Sequence, residues 1–375
     1  MFVRTIQSLC VTNKCLFQYN KLVVPYYIVP KFCHHEAIRQ SMSDNDVGHP
    51  DSEEEKLLKI AVIGLPNVGK STLVNQLVKR RIFAMSRKVH TTKCRARGVY
   101  IENKSQLVFL DTPGLVSEQE KQRYHLEKEF VEGGKKAVAE ADSILVIHDA
   151  SNNYTRYTLD EKIMTILNSF PDKDTVLVIN KVDAIKKKRF LLDMARLLTN
   201  DTLRKINNEV QNVKYKPETK MALEERISQA KGYSNFSDIF MVSALEGTGI
   251  SDLRNYLLSQ AKPSGWLFSE EMFTDQDPVV IIEDTVRSRM LNDLPQEVPY
   301  RANVAVEYLD FEREEPLCVC LIECPSHRVE RVVTGSGGSR IRRIASSAEE
   351  ELRMTFKIPL KLKLVVTSKS PKSFG

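Results

Sequence analysis

The stretch Gly64-Leu-Pro-Asn-Val-Gly-Lys-Ser71 constrains this chain more than any other. It has the spacing GxxxxGK[ST] and lies between an apolar run, Leu57 to Ile63, and a helical pattern from Ser71 to Val78. A buried strand that turns through glycines into a helix aims successive backbone N–H groups at one spot, where the helix adds its positive end. That context makes the string a phosphate cradle. Its expected members are Gly64, Pro66, Asn67, Val68, Gly69, Lys70, Ser71 and Thr72. Lys70 would bridge the terminal phosphates of a nucleoside triphosphate, and the Ser71 hydroxyl would hold Mg²⁺.

Two further strings say which base is bound. Asp111-Thr112-Pro113-Gly114 follows the apolar run Leu107–Leu110, so Asp111 is delivered at the C-terminal end of a strand, where a Mg²⁺-directed acid belongs. Gly114 leaves room for a backbone N–H against the terminal phosphate. Asn180-Lys181-Val182-Asp183 follows a third run, Thr175–Ile179. An ionised Asp183 only accepts hydrogen bonds, and guanine offers two adjacent donors where adenine offers none in that geometry. Asn180 and Lys181 would brace the phosphate loop and cover the base. Ser243-Ala244-Leu245, after the run ending at Val242, would face the base oxygen.

The rest of the chain reads as α/β. Apolar strands near 57–63, 97–101, 106–110, 143–148, 175–179 and 238–242 alternate with helices near 70–79, 120–140, 156–169, 186–198 and 249–261. This alternation predicts a doubly wound, mainly parallel sheet with its site at the strand C-termini. Residues 199–237 are polar and charge-mixed and read as an insertion of solvated helices. Pro263-Ser-Gly265 reads as a boundary, giving a nucleotide domain over 56–262 and a smaller α+β domain over 263–375. The first half of that domain is rich in acids and its second half in Lys and Arg. The basic half contains Gly335-Ser336-Gly337-Gly338, between a helical stretch and Ser339-Arg340-Ile341-Arg342-Arg343. A GxxG loop between two helices is the clamp by which a KH domain grips single-stranded RNA, and the three arginines would add electrostatic attraction.

Composition limits the alternatives. A 375-residue chain with 42% hydrophobic and 28% charged residues has material for more than one core, and its net charge of +6 does not by itself indicate nucleic acid. Seven cysteines without framework spacing suggest reduced thiols. Cys318, Cys320 and Cys324 share one face of a predicted strand and are expected to be core. Residues 1–35 carry Arg4, Lys14, Lys21 and Lys31 and no acid, the composition of a mitochondrial transit peptide, and 41–55 read as linker, so that transit peptide and linker together occupy 1–55.

In order, GLPNVGKSTLVNQL, SRKVHTTK, DTPGL, NKVD, SAL and VTGSGGSRIRRI resemble the Era family of GTPases over about Lys56 to Thr367, and the leader suggests its mitochondrial members. The resemblance implies a GTPase domain joined to a KH domain. It also implies binding near the 3′ end of small-subunit ribosomal RNA during assembly of that subunit in the mitochondrial matrix. It leaves peripheral contact with the inner membrane open and gives no reason to expect DNA. Thr92, or else Thr91, would reach Mg²⁺. Leu115 stands where Ras-like proteins carry a water-positioning glutamine, and Asn67 matches the asparagine that helps relatives hold an activating K⁺. Catalysis would then rest on Lys70, Thr92, Asp111 and Gly114.

Overall fold

The computed structural model describes residues 55–83, 97–111, 125–202, 232–295 and 297–368, with the backbone alone for Asp111 and 125–131. β1 (Lys56–Ile63), β3 (Ser105–Asp111), β4 (Ser143–Asp149), β5 (Asp174–Asn180) and β6 (Asp238–Met241) are parallel, in the order β3-β1-β4-β5-β6. β2 (Arg97–Glu102) lies antiparallel on the outside of β3. The strands are almost unbroken apolar runs because both faces of the sheet are covered. One face packs on α1 (Lys70–Val78) and α5 (Ile250–Ser259), through Leu73, Leu77, Leu253 and Leu257. The other packs on α2 (His125–Glu140), α3 (Glu161–Asn168) and α4 (Arg189–Leu198), through Val138, Ile166, Leu167 and Met194.

Helix α3 begins later than the pattern 156–169 predicts. Residues 150–158 form turns, and Asp160 caps the helix by accepting from the Lys162 N–H. The stretch 199–237 is also more structural than its polarity suggests. Thr199 is buried, and Tyr233 and Phe236 enter the core as an edge-to-face pair 5.2 Å apart. The Tyr233 N–H donates to the Leu198 carbonyl, so both ends of the stretch belong to the domain. Residues 203–231 lie outside the described ones.

Beyond Pro263 the chain keeps to the first domain, although the sequence reading assigns it to the second. β7 (Lys262–Pro263) pairs antiparallel with the start of β1. The buried Gln106 amide then holds the segment through three bonds: its Oε1 accepts from the Leu267 and Phe268 N–H groups, and its Nε2 donates to the Phe268 carbonyl. Phe268 is core, and the Val99 N–H donates to the Phe273 carbonyl. The first domain is left only near Asp277, whose carboxylate caps the next helix ahead of Pro278.

The second domain runs α6 (Pro278–Asp293), α7 (Val298–Arg301), β8 (Asn303–Asp310), β9 (Leu317–Cys324), α8 (His327–Thr334), α9 (Ser339–Phe356) and β10 (Lys361–Ser368). Its sheet has the order β10-β9-β8, with β10 parallel and β8 antiparallel to β9. Strand alternation turns Cys318, Cys320, Ile322 and Cys324 inward against α6 and α9, as the sequence predicts. The Cys318 thiol is pushed up by its neighbour Cys320 and by burial, and Cys324 is raised by burial to about 11, so both are inert protonated thiols. Glu351 on α9 is buried and accepts from the Arg289 guanidinium on α6, which ties the two helices together.

The domains meet where α1 and α9 end. Arg80 donates to the Thr355 carbonyl at 3.1 Å, and the Thr355 hydroxyl donates to the Arg81 carbonyl at 2.7 Å. The Arg80 guanidinium also lies 4.4 Å from the centre of the Phe273 ring, which faces Phe356 edge-on. Because Phe268 belongs to the first core, Phe268→Ala should lower the stability of that domain by about 3 kcal/mol. Denaturant unfolding followed by nucleotide release would show an unchanged midpoint if the segment merely rested on the surface.

Candidate functional site

The parallel strands end at one edge of the sheet, and the expected nucleotide residues gather there. Gly64 closes β1 so near β4 that a Cβ on it would lie 2.6 Å from the Ile147 carbonyl oxygen. Gly69 has φ +97°, and a Cβ there would meet the Asn180 amide nitrogen at 2.3 Å. Side chains at these two positions would fill the cradle. Lys70 opens α1, is buried, and donates from Nζ to the carbonyls of Gly64 at 2.7 Å and Leu65 at 2.9 Å. The loop therefore curls around an ammonium group, with Ser71 and Thr72 in the following helical turn. β1 and β3 pair with Val62 opposite Asp111, which brings the Asp111 backbone beside the loop.

Asn180 joins the two halves of the site. It is buried, its Nδ2 donates to the Val68 carbonyl at 2.8 Å, and its Oδ1 accepts from the Ala244 N–H at 3.0 Å. One amide thus ties the phosphate loop to the base loop. Lys181, at φ 63°, donates from Nζ to the Asn67 carbonyl and to Asp149 Oδ2, both at 2.6 Å. Asp183 is exposed, and its Oδ1 accepts from the buried Ser243 hydroxyl at 2.5 Å. Ser243 Oγ in turn accepts from the Glu246 N–H, which fixes the carboxylate at the rim. Leu245 beside it is 78% exposed. Thr92, Thr112, Gly114 and Leu115, with Thr91 and the leader 1–54, lie outside the described residues.

No motif marks Asp149 or His148, yet both belong here. Asp149 ends β4 as Asp111 ends β3; its Oδ1 accepts from the Ser151 N–H and hydroxyl while its Oδ2 holds Lys181. An acid at the C-terminal end of a buried strand is the signal that could have found it. His148 is buried beside Leu65 and Pro66, and its Nε2 has no hydrogen-bond partner among the described residues. Burial lowers its pKa, against a smaller upward pull from a backbone bond to Arg156 and from Asp149. Asn75, on the far end of α1, accepts from the Ile82 and Phe83 N–H groups and pins the chain leading towards Thr91 and Thr92.

In the second domain the GxxG loop joins α8 to α9 as a single 3₁₀ turn, Ser336–Gly338. Gly335 has φ +73°, and a Cβ there would lie 2.7 Å from Arg340 Cβ, so glycine is required. Gly337 has φ +54° but faces open space. The arginines are less free than their sequence suggests. Arg340 folds back to donate to the Val332 carbonyl, Arg342 donates to the Gly337 carbonyl at 2.7 Å, and Arg343 pairs with Asp293 at 3.5 Å. The first ties α9 back to α8, and the second braces the loop from within.

Strand, loop and helix define a P-loop nucleotide-binding protein joined to a small domain with a GxxG turn. A family model described as 50S ribosome-binding GTPase matches residues 59–181. The chain is 34% identical over 363 residues to the mitochondrial GTPase Era of Salmo salar, covering 86% of this chain and 79% of that protein. It is 35% identical over 345 residues to the mitochondrial GTPase Era of Danio rerio, covering 84% and 76%. It is similar to the crystal structure of Era in complex with MgGDPNP and nucleotides 1506–1542 of 16S ribosomal RNA, with 27% identity, a TM-score of 0.59, and coverage of 85% of this chain and 95% of that one. The chain belongs to the Era family of GTPases and is a GTP-hydrolysing enzyme.

Asn180→Ala should strip partners from the Val68 carbonyl and the Ala244 N–H together and weaken GTP binding by about 2–4 kcal/mol. Titration with a fluorescent GTP analogue measures this, and wild-type affinity would mean that the bridge does not matter. A second expectation concerns pH. The folded His148 pKa lies below the ordinary 6.5, so the unfolded chain takes up protons first as pH falls. Its contribution to stability is present above about pH 6.5 and is lost below it. The melting temperature should fall between pH 7.5 and 5.5, and less steeply in His148→Gln.

Proposed function

We propose that this protein is a mitochondrial Era-type GTPase that binds small-subunit ribosomal RNA near its 3′ end and acts in assembly of that subunit. The observation that carries the reading is the GxxG turn in the same chain as the nucleotide site, each held by its own core. Three facts support it: the relatives named as mitochondrial, the acid-free leader, and the similarity across both domains to an Era bound to a 16S ribosomal RNA segment.

Asp183, anchored by Ser243, would read guanine N1–H and the 2-amino group. Lys70 would leave the loop carbonyls for the terminal phosphates, while backbone N–H groups of the loop bind the rest. The donor set fits Mg²⁺, since the Ser71 hydroxyl, the Asp111 carboxylate and Thr92, with Thr91 as the alternative, are hard oxygen ligands. When bound, Mg²⁺ supplies charge neutralisation between the phosphates. With Leu115 unable to orient water, transition-state charge would need a further cation, and Asn67 fits a K⁺ role. Gly114 would offer its N–H to the terminal phosphate.

Asp183→Asn should weaken GTP binding by more than about 2 kcal/mol and favour xanthine nucleotides. Equal affinity of the wild type for ATP and GTP would sink the guanine assignment. For RNA, Gly337→Asp is the informative change, because it adds a negative charge where space is open, at a positive φ that aspartate tolerates better than most side chains, and Gly337→Asn carries the same strain without the charge. Binding to a 3′-terminal small-subunit RNA should fall at least tenfold, about 1.4 kcal/mol, with basal GTP hydrolysis unchanged. Unaltered RNA affinity would refute the clamp.

A further inference from the structure

A surface on the GTPase domain combines one fully exposed tyrosine ring, beside two half-buried rings, with uncompensated positive charge. The loop after β4 is held by the Asn152 side chain, which accepts from the Tyr154 N–H at 3.0 Å, and by the Asn152 carbonyl, which accepts from the Arg156 N–H at 3.0 Å. That turn presents Tyr154 with its side chain in solvent, 97% exposed. Tyr154 is flanked by Asn153 and Thr155, so no apolar patch explains its exposure.

The loop after β5 carries Lys186, Lys187, Lys188 and Arg189 in succession, all exposed. None of the four is ion-paired to another described residue, and no acid occurs between Asp183 and Asp193. They surround the start of α4, where acids would stabilise a helix and cations oppose its dipole, so this placement works against folding.

The two loops form one surface. The Arg156 guanidinium lies 4.9 Å from the Tyr157 ring centre and 5.7 Å from that of Phe190, and Arg189 lies 5.4 Å from Phe190. Flat rings and guanidinium planes beside a run of cations are what a single-stranded nucleic acid recognises. Bases stack on the rings and phosphates meet the lysines, without regard to sequence. An isolated tyrosine among polar neighbours has no apolar face to bury in a bilayer.

We propose that Tyr154, the Arg156–Tyr157–Phe190 stack and Lys186–Arg189 form a second, sequence-independent RNA contact on the GTPase domain. It spans the loop after β4 and the loop that follows Asp183. This proposal rests on the reading that the protein binds RNA, but it does not depend on the GxxG turn being the clamp.

The test uses the full chain and a labelled single-stranded oligouridine, with affinity measured by anisotropy across a salt series. Replacing Lys186, Lys187 and Lys188 by alanine should weaken binding at low salt at least tenfold. It should also flatten the slope of log K against log salt by about 2, at roughly 0.7 per lost phosphate contact. Tyr154→Ala should weaken binding several-fold and Tyr154→Phe should not. In the Gly337→Asp background the oligouridine should still bind, and adding the lysine changes should abolish that residue of affinity. GTP affinity, unchanged throughout, reports that the domain is folded. An unchanged salt slope in the lysine variant overturns the proposal, as does complete loss of oligouridine binding in Gly337→Asp alone. So does a lysine variant that keeps RNA but loses adsorption to phosphatidylserine vesicles, which would make the surface a membrane contact. Failure of the wild type to bind any RNA would overturn this proposal and the RNA reading together, whereas wild-type RNA binding by the lysine variant would overturn this proposal alone and leave the clamp intact.

Discussion

Two loops that lie more than a hundred residues apart in sequence are held at bonding distance by the Asn180 carboxamide. Its amine reaches the phosphate loop and its oxygen the base loop, from a position with almost no exposure to water. A buried amide with both ends satisfied is strong and geometrically strict, and each partner lost would leave a buried backbone group unpaired. The amide can make both bonds only because β5 is parallel to β4 and β6, with Asp149 opposite Asn180 and Met241 opposite Ile179. Sheet register therefore sets the spacing between the two loops proposed to hold the phosphates and the base.

Around this bridge, charge is placed with the same economy of means. Lys181 adopts a left-handed backbone conformation that lets one ammonium meet both the Asn67 carbonyl and Asp149. Lys70 is drawn inward by the Gly64 and Leu65 carbonyls. In the second domain, Arg342 performs the corresponding service for the GxxG turn by bonding the Gly337 carbonyl, while Arg340 ties the helix that follows back to α8. In both domains, cationic side chains hold the shape of a glycine-bearing turn that opens a helix.

Much of this was legible in the sequence, for identifiable reasons. Strands covered on both faces are continuous apolar runs, and the residues that follow them, such as Gly64 and Asn180, are announced by fixed spacing. The inward cysteines of β9 follow from strand alternation alone. What the sequence concealed depends on long-range pairing. Asp149 is a single acid in no motif, meaningful only once Lys181 is known to reach it. Polar composition hid the burial of Tyr233 and Phe236, and Pro263-Ser-Gly265 reads as a domain boundary although Gln106, remote in sequence, binds the segment beyond it. Arg342 and Arg343 read as free charges because sequence does not show where a long side chain folds back.

The dependence of the first core on Phe268 and β7 has a consequence for the order in which the chain can fold. Synthesis delivers residues from the N-terminus onwards, so β1 emerges early and its last partners, near residues 262–268, about two hundred residues later. Until then β1 keeps an unpaired edge at Lys56 and Leu57, and the Gln106 amide lacks the backbone groups that satisfy it. A nascent GTPase domain is thus an incomplete sheet with an open edge, the kind of species that aggregates or recruits chaperones. By the time it closes, the chain has already reached the threshold of the second domain, so the two maturation steps are nearly consecutive.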